Sequence, residues 1–214
     1  MEFPIQMYDP KREYNLHKTD IDNAIHEVLN HGKFINGPEI NELEDQLSKF
    51  TGSQCVTLSN GTDALQVALL ALDVGIDDEV ITVSHSWIST VEVISILKAK
   101  PVFVDIEPIT FNMDPSKLEN VITGKTKAII VVSLYGHMAD YDKINEIANK
   151  YNIPVIEDGA QSFGATYKNQ KSCSMTPIST TSFFPSKPLG CYGDGGACFT
   201  NIPELEAKIR AIKN

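Results

Sequence analysis

The sequence is short of positive charge, of aromatic rings and of long apolar runs. Lys and Arg total 18 against 28 Asp and Glu, a formal net charge of −10 at pH 7. That balance argues against a nucleic-acid backbone or an anionic membrane as partner, and leaves room for a local basic pocket only. No stretch approaches the roughly 18 uninterrupted apolar residues of a membrane span. The opening MEFPIQMYDPKREYN lacks a signal-peptide core, so a cytoplasmic location is expected. Cys55, Cys173, Cys191 and Cys198 form no Cys-x-x-Cys pair and read as reduced thiols. His17, His26, His31, His85 and His137 show no His-Glu-x-x-His or similar ligand spacing, so no metal site is expected. A G-x-G-x-x-G fingerprint and a Walker A sequence are also absent, which leaves no dinucleotide or P-loop signature.

What is present is an ordinary globular composition, 42% hydrophobic over 214 residues, enough for one large domain with a sizeable core. After an irregular start, Ile21, Ile25, Val28 and Leu29 share one face of a helix predicted over Thr19–Asn30, with Thr19 or Asp20 as N-cap. Pro38 opens a second helix carrying Ile40, Leu43, Leu47 and Phe50, which Gly52 stops. β-Branched runs then recur as CVTL, EVITVS, PVFVDI, AIIVVSL, PVIED, TTSFF and ACFT, about seven strands. Helical patterns fall between most of them: Thr62–Leu72, Ile88–Leu97, a segment opened by Asp114 and Pro115, and one running to Tyr151 with Asp140 as N-cap. The alternation implies crossovers, hence an α/β fold with a largely parallel sheet. A last helix begins near Pro203 and reaches Asn214 without a cap, which reads as an interruption rather than an ending.

In such sheets ligands bind outside the carboxyl ends of the strands, so the residues just after each strand matter most. After CVTL, Ser59-Asn60-Gly61-Thr62-Asp63 leads straight into a helix whose free N–H groups suit a phosphate, although plain capping by Asn60 or Thr62 explains the same residues. After EVITVS comes Trp87, the single tryptophan, placed to stack on a planar ligand or to pack at a helix start. PVIED ends in Asp158, followed by Gly159-Ala160-Gln161; a buried acid there needs a cationic or hydrogen-bonding partner. Ser182 then leads into Phe183-Phe184-Pro185-Ser186-Lys187-Pro188, which holds a lysine in a proline-flanked loop. A phosphate-ready helix end, an aromatic, a strand-end acid, a hydroxyl and a constrained lysine on one sheet edge match the needs of pyridoxal 5'-phosphate (PLP): an anchor, a stacking partner, an acid for the pyridine nitrogen and an amine for the aldehyde.

NGTDAL, DEVITV with the following SW, PVFVDI, SLYGHMADYD, IEDGAQSFGA and SFFPSKPLGCYGDGGA together resemble the DegT/StrS family of nucleotide-sugar aminotransferases, along nearly the whole chain. The resemblance implies the aspartate-aminotransferase fold (fold type I), with residues 1–214 forming an N-terminal arm and the PLP-binding large domain. It implies Lys187 as the lysine that carries the cofactor and Asp158 as the partner of the pyridine nitrogen. Trp87 would cover the ring, Gln161 would lie near the ring hydroxyl, and Gly61, Thr62 and Ser182 would hold the phosphate. It further implies transfer of an amino group from glutamate to a keto carbon of a nucleotide-linked sugar, in a homodimer. The wording of the lysine loop looks most like members acting at C3, among them those making UDP-linked 2,3-diamino uronic acids for surface polysaccharides; C4 enzymes share most of it. Family members carry a smaller C-terminal domain of about 150 further residues, so a noncatalytic protein retaining the cofactor cradle is the competing expectation. A related sugar dehydratase has histidine where this chain has Lys187. His137 and the segment Phe34–Glu39 could help bind substrate, but a histidine after a strand and a Gly-Pro helix start also have ordinary structural explanations, and both stay outside the catalytic set.

Overall fold

The structure, a computed structural model, describes residues 8–214 and divides into two compact units that meet in sequence at Leu43 and Glu44. In the first unit α1 (Pro10–Leu16) occupies part of the expected irregular start. Asp9 caps it by accepting from the Arg12 N–H at 3.0 Å, and Pro10 supplies a preset first turn. α1 buries no side chain, so it carries no apolar period by which to be recognised. α2 (Lys18–His31) starts earlier than expected. His17, rather than Thr19 or Asp20, is its N-cap because the same residue ends α1, its N–H bonding back to Glu13 and Tyr14. Its expected apolar face is not buried either; Ile25 and Leu29 are exposed. Gly32, left-handed at φ 68°, closes it by donating to Val28. α3 (Pro38–Thr51) begins at the expected proline.

The second unit is built on a seven-stranded sheet. In chain order its strands are β1 (Gln54–Leu58), β2 (Glu79–Val83), β3 (Lys100–Val104), β4 (Thr126–Val132), β5 (Val155–Asp158), β8 (Ile178–Ser182) and β9 (Gly196–Thr200). A two-stranded hairpin of β6 (Thr166–Tyr167) and β7 (Gln170–Lys171) stands apart; its strands are too short to show a period of two. The sheet order is β1-β9-β8-β5-β4-β2-β3. β8, β5, β4, β2 and β3 run parallel, whereas β9 runs antiparallel to both β8 and β1. The sheet is therefore mostly parallel, as the alternation of strands and helices requires.

Helices α4 (Gly61–Ala71), α5 (Ser89–Ile96), α6 (Pro115–Leu118), α7 (Tyr141–Lys150) and α8 (Pro203–Lys213) complete the unit. The helix opened by Asp114 is a single turn, continued as a 3-10 turn over Glu119–Val121. On one sheet face Leu65, Ala68 and Leu69 of α4 pack with Val56, Val80, Ile130, Ile156, Ile178 and Cys198, and with Ile209 of α8. On the other, Tyr141, Ile144 and Ala148 of α7 pack with Ile81, Val83, Ile129, Val131 and Val155. Coverage on both faces explains why β2 and β5 are buried at every residue, the acids Glu157 and Asp158 of β5 included, rather than alternating between buried and exposed. Each fully buried Leu or Ile in these layers contributes about 1.5–3 kcal/mol. All four cysteines are free thiols. Among the described residues no helix is long and apolar enough to cross a membrane.

Candidate active site

β9 brings the candidate site together. Its first residue, Gly196, pairs with Ser182 at the end of β8 and with Leu58 at the end of β1. Two strands distant in sequence thus present their carboxyl ends on either side of the start of β9, and the turn after β1 lies against the end of β8. The approach is close enough to demand glycine: a β-carbon at Gly61 would sit 2.6 Å from the Ser182 Cβ, and one at Gly196 only 2.4 Å from the Asn60 carbonyl. Asn60 caps α4, its Oδ1 accepting from the Asp63 N–H at 2.8 Å. Capping and an anion-ready helix N-terminus are one arrangement here, because the cap engages the Asp63 N–H while Gly61 and Thr62, whose amides it does not use, line the cavity.

A cavity of about 510 Å³ opens at this edge, within the size range of small-molecule and cofactor sites. Gly61, Thr62, Trp87, Asp158, Gln161, Ser182 and Lys187, all singled out in the sequence, line it together. Trp87 is 70% exposed, so its ring is a wall of the cavity rather than a core residue. The Thr62 hydroxyl lies 2.8 Å from that of Ser89, which joins the first turn of α4 to the first turn of α5. The Ser182 hydroxyl accepts from the Phe184 N–H at 3.2 Å, leaving its own proton for a ligand.

Asp158 is the last residue of β5 and 6% exposed. The Ala160 N–H donates to its Oδ1 at 3.1 Å and the Thr90 hydroxyl to its Oδ2 at 3.3 Å. Thr90 is in turn 2.9 Å from the Ser86 hydroxyl. Burial pushes the Asp158 carboxyl above the ordinary range, against the pull of the Ala160 N–H, the Lys187 charge and Thr90. Among the described residues, Lys187 is the one cation lining the cavity. Its loop is fixed by backbone bonds: Lys187 N–H to Phe184 C=O at 2.8 Å, Cys191 N–H to Phe183 C=O at 2.8 Å and Phe183 N–H to Gly195 C=O at 2.7 Å. Gln161 accepts from the Tyr135 N–H at 2.9 Å through its amide oxygen.

Ser89 and Thr90 escaped the sequence reading. Their signal was present, two hydroxyl residues at a helix start beside Trp87, but only the turn of α5 decides that they face Thr62 and Asp158. The two set-aside segments have structural partners: the His137 carbonyl accepts from Asn112, and Glu39 pairs with His31 at 2.7 Å. Among the described residues, no group of three or more His, Cys, Asp or Glu is placed to hold a metal ion.

A buried acid with an open side, a lysine across the cavity, an aromatic wall and a helix N-terminus flanked by hydroxyls form a donor set suited to a phosphorylated pyridine aldehyde. Comparison with known proteins agrees. The model of the DegT/DnrJ/EryC1/StrS aminotransferase family matches residues 15–214. UDP-2-acetamido-2-deoxy-3-oxo-D-glucuronate aminotransferase of Pseudomonas aeruginosa is 56% identical over 97% of this chain and 58% of its own length. The crystal structure of DesV from S. venezuelae superposes with a TM-score of 0.96 at 36% identity, covering 98% of this chain and 57% of that one. The sugar aminotransferase Spr1654 of Streptococcus pneumoniae has been solved in a PLP form, with a TM-score of 0.80 at 32% identity over 87% of this chain and 54% of that one. The chain spans little more than half the length of the curated relatives it matches. PLP is the family's cofactor. Motifs, backbone and cavity chemistry converge, and the chain belongs to the DegT/DnrJ/EryC1/StrS aminotransferase family.

Proposed function

We propose that this chain is the cofactor-binding part of a PLP-dependent aminotransferase that moves an amino group from glutamate to the C3 keto carbon of a UDP-linked sugar. The observation that carries the reading is the shared cavity of Lys187 and Asp158 at the N-terminus of α4. When bound, the cofactor would supply an aldehyde carbon that can take up an amino group and a pyridine ring that withdraws electrons from it. Lys187 would hold it through the ε-amine and is the base that would move a proton at the donor's Cα. Asp158, already short of solvent, keeps the ring nitrogen protonated. Trp87 covers the ring face, and Gln161 donates to the ring oxygen. The α4 amides at Gly61 and Thr62, with the Thr62 and Ser182 hydroxyls, hold the phosphate.

The 3-oxo sugar acid in the name of the P. aeruginosa relative, at 56% identity, favours C3 and a UDP-sugar. We place the enzyme in the cytoplasm, as a homodimer serving surface-polysaccharide synthesis. The test is the absorption spectrum of the protein with PLP, before and after glutamate, beside Lys187→Ala. A lysine-dependent band that glutamate converts to the aminated cofactor is expected. A band indifferent to glutamate would leave a binding protein, and a spectrum unchanged by Lys187→Ala would remove the lysine assignment.

A further inference from the structure

The turn after β4, Leu134–Gly136, reverses with two consecutive left-handed residues, Tyr135 at φ 56° and Gly136 at φ 81°. For a residue with a β-carbon that conformation is unfavourable and needs outside support. The support is Asn112, which lies in another loop and is 3% exposed. Its Oδ1 accepts from the Leu134 N–H at 3.2 Å and its Nδ2 donates to the His137 carbonyl at 2.9 Å, so one amide spans the turn. The turn in its own right holds Gln161, because the Tyr135 N–H donates to Gln161 Oε1 at 2.9 Å. A backbone N–H can only donate. The Gln161 oxygen therefore faces the turn, and its NH₂ is the end offered to a ligand in the cavity.

We infer that Asn112 is a positioning residue for the cofactor: by clamping the Leu134–His137 turn it fixes the Gln161 amide with its donor end toward the ring oxygen. The inference rests on the proposed function and reaches two residues beyond the cavity lining. A purely structural Asn112 would matter equally with or without Gln161, whereas a positioning Asn112 acts only through it.

The experiment is a double-mutant cycle on the PLP dissociation constant of the purified protein, with thermal unfolding of each cofactor-free variant measured alongside. Asn112→Ala and Gln161→Ala should each weaken PLP binding about five- to tenfold, the worth of one hydrogen bond. The double variant should bind no more weakly than Gln161→Ala alone, although Asn112→Ala lowers Tm in both backgrounds. Fold-changes that multiply, or an unchanged dissociation constant in Asn112→Ala, would overturn the role. If Asn112→Ala does not fold, Asn112→Ser enters the same cycle with the same criterion. Lys187→Ala separates the two levels of inference. If it leaves the PLP spectrum unchanged, the function reading fails; if the band needs Lys187 but the cycle is multiplicative, only the role of Asn112 fails.

Discussion

On one side of β5 the Glu157 carboxylate is sealed in: fully buried, it accepts from the Ser172 hydroxyl at 2.7 Å, the Cys173 N–H at 2.9 Å and the Ser179 hydroxyl at 3.3 Å. One residue later Asp158 accepts only two bonds, from Ala160 at 3.1 Å and Thr90 at 3.3 Å, and borders a cavity that Lys187 also lines. Burial raises the pKa of both acids. Desolvation therefore does not separate a carboxylate sealed in the core from one that borders the cavity. The difference lies in how the remaining lone pairs are treated: protein donors saturate Glu157, and Asp158 keeps a side open to a ligand. Sheet geometry produces the contrast, since successive residues on a strand project to opposite faces and β5 ends at the cavity.

The largest effect should come from Asp158→Asn, which keeps size and burial but removes the charge that, on the proposed function, holds the ring nitrogen protonated. Amino transfer is expected to fall about 10²-fold or more, with PLP still bound and the urea midpoint little changed. Steady-state kinetics beside denaturation checks this, and near-normal turnover would erase the distinction from Glu157.

Glu157→Ala should do the reverse. Leaving the Cys173 N–H without its acceptor and removing the carboxylate that the Ser172 and Ser179 hydroxyls share is expected to cost about 2–4 kcal/mol of folding stability, read from urea unfolding, with the lysine-dependent PLP band retained in the folded fraction. A spectrum lost at full stability would make Glu157 part of the site.

The smallest effect is in pH. Because the folded pKa of Glu157 lies above its ordinary 4.5, the folded state binds that proton more tightly than the unfolded chain. Stability should then decline as pH rises from 4.5 through the folded pKa, and recover on acidification across that window. Glu157→Gln should flatten this part of the profile of unfolding midpoint against pH. Parallel profiles for the two proteins would mean that the neighbouring donors cancel the cost of burial.

Much of this architecture was legible in the linear chain because buried β-branched runs and capped helices carry local signatures. CVTL, EVITVS and PVIED all became strands, and Asn60, Asp114 and Asp140 all became caps. The misses share a cause. α1 buries nothing and the β6–β7 hairpin has two-residue strands, so neither displays a period. Ser89 and Thr90 were missed because a hydroxyl's partner across 27 or 68 residues has no local signature.

By itself the sequence determined the order of strands and helices, the proline-framed position of Lys187 and the strand-end position of Asp158, all set by short-range backbone preference and apolar patterning. Tertiary structure decided that β9 slots between β1 and β8, setting Gly61 against Ser182, and that α5 turns Thr90 toward Asp158. Those pairings depend on which strands hydrogen-bond and how helices seat on the sheet. They are properties of packing between distant segments, and no window of sequence contains both partners.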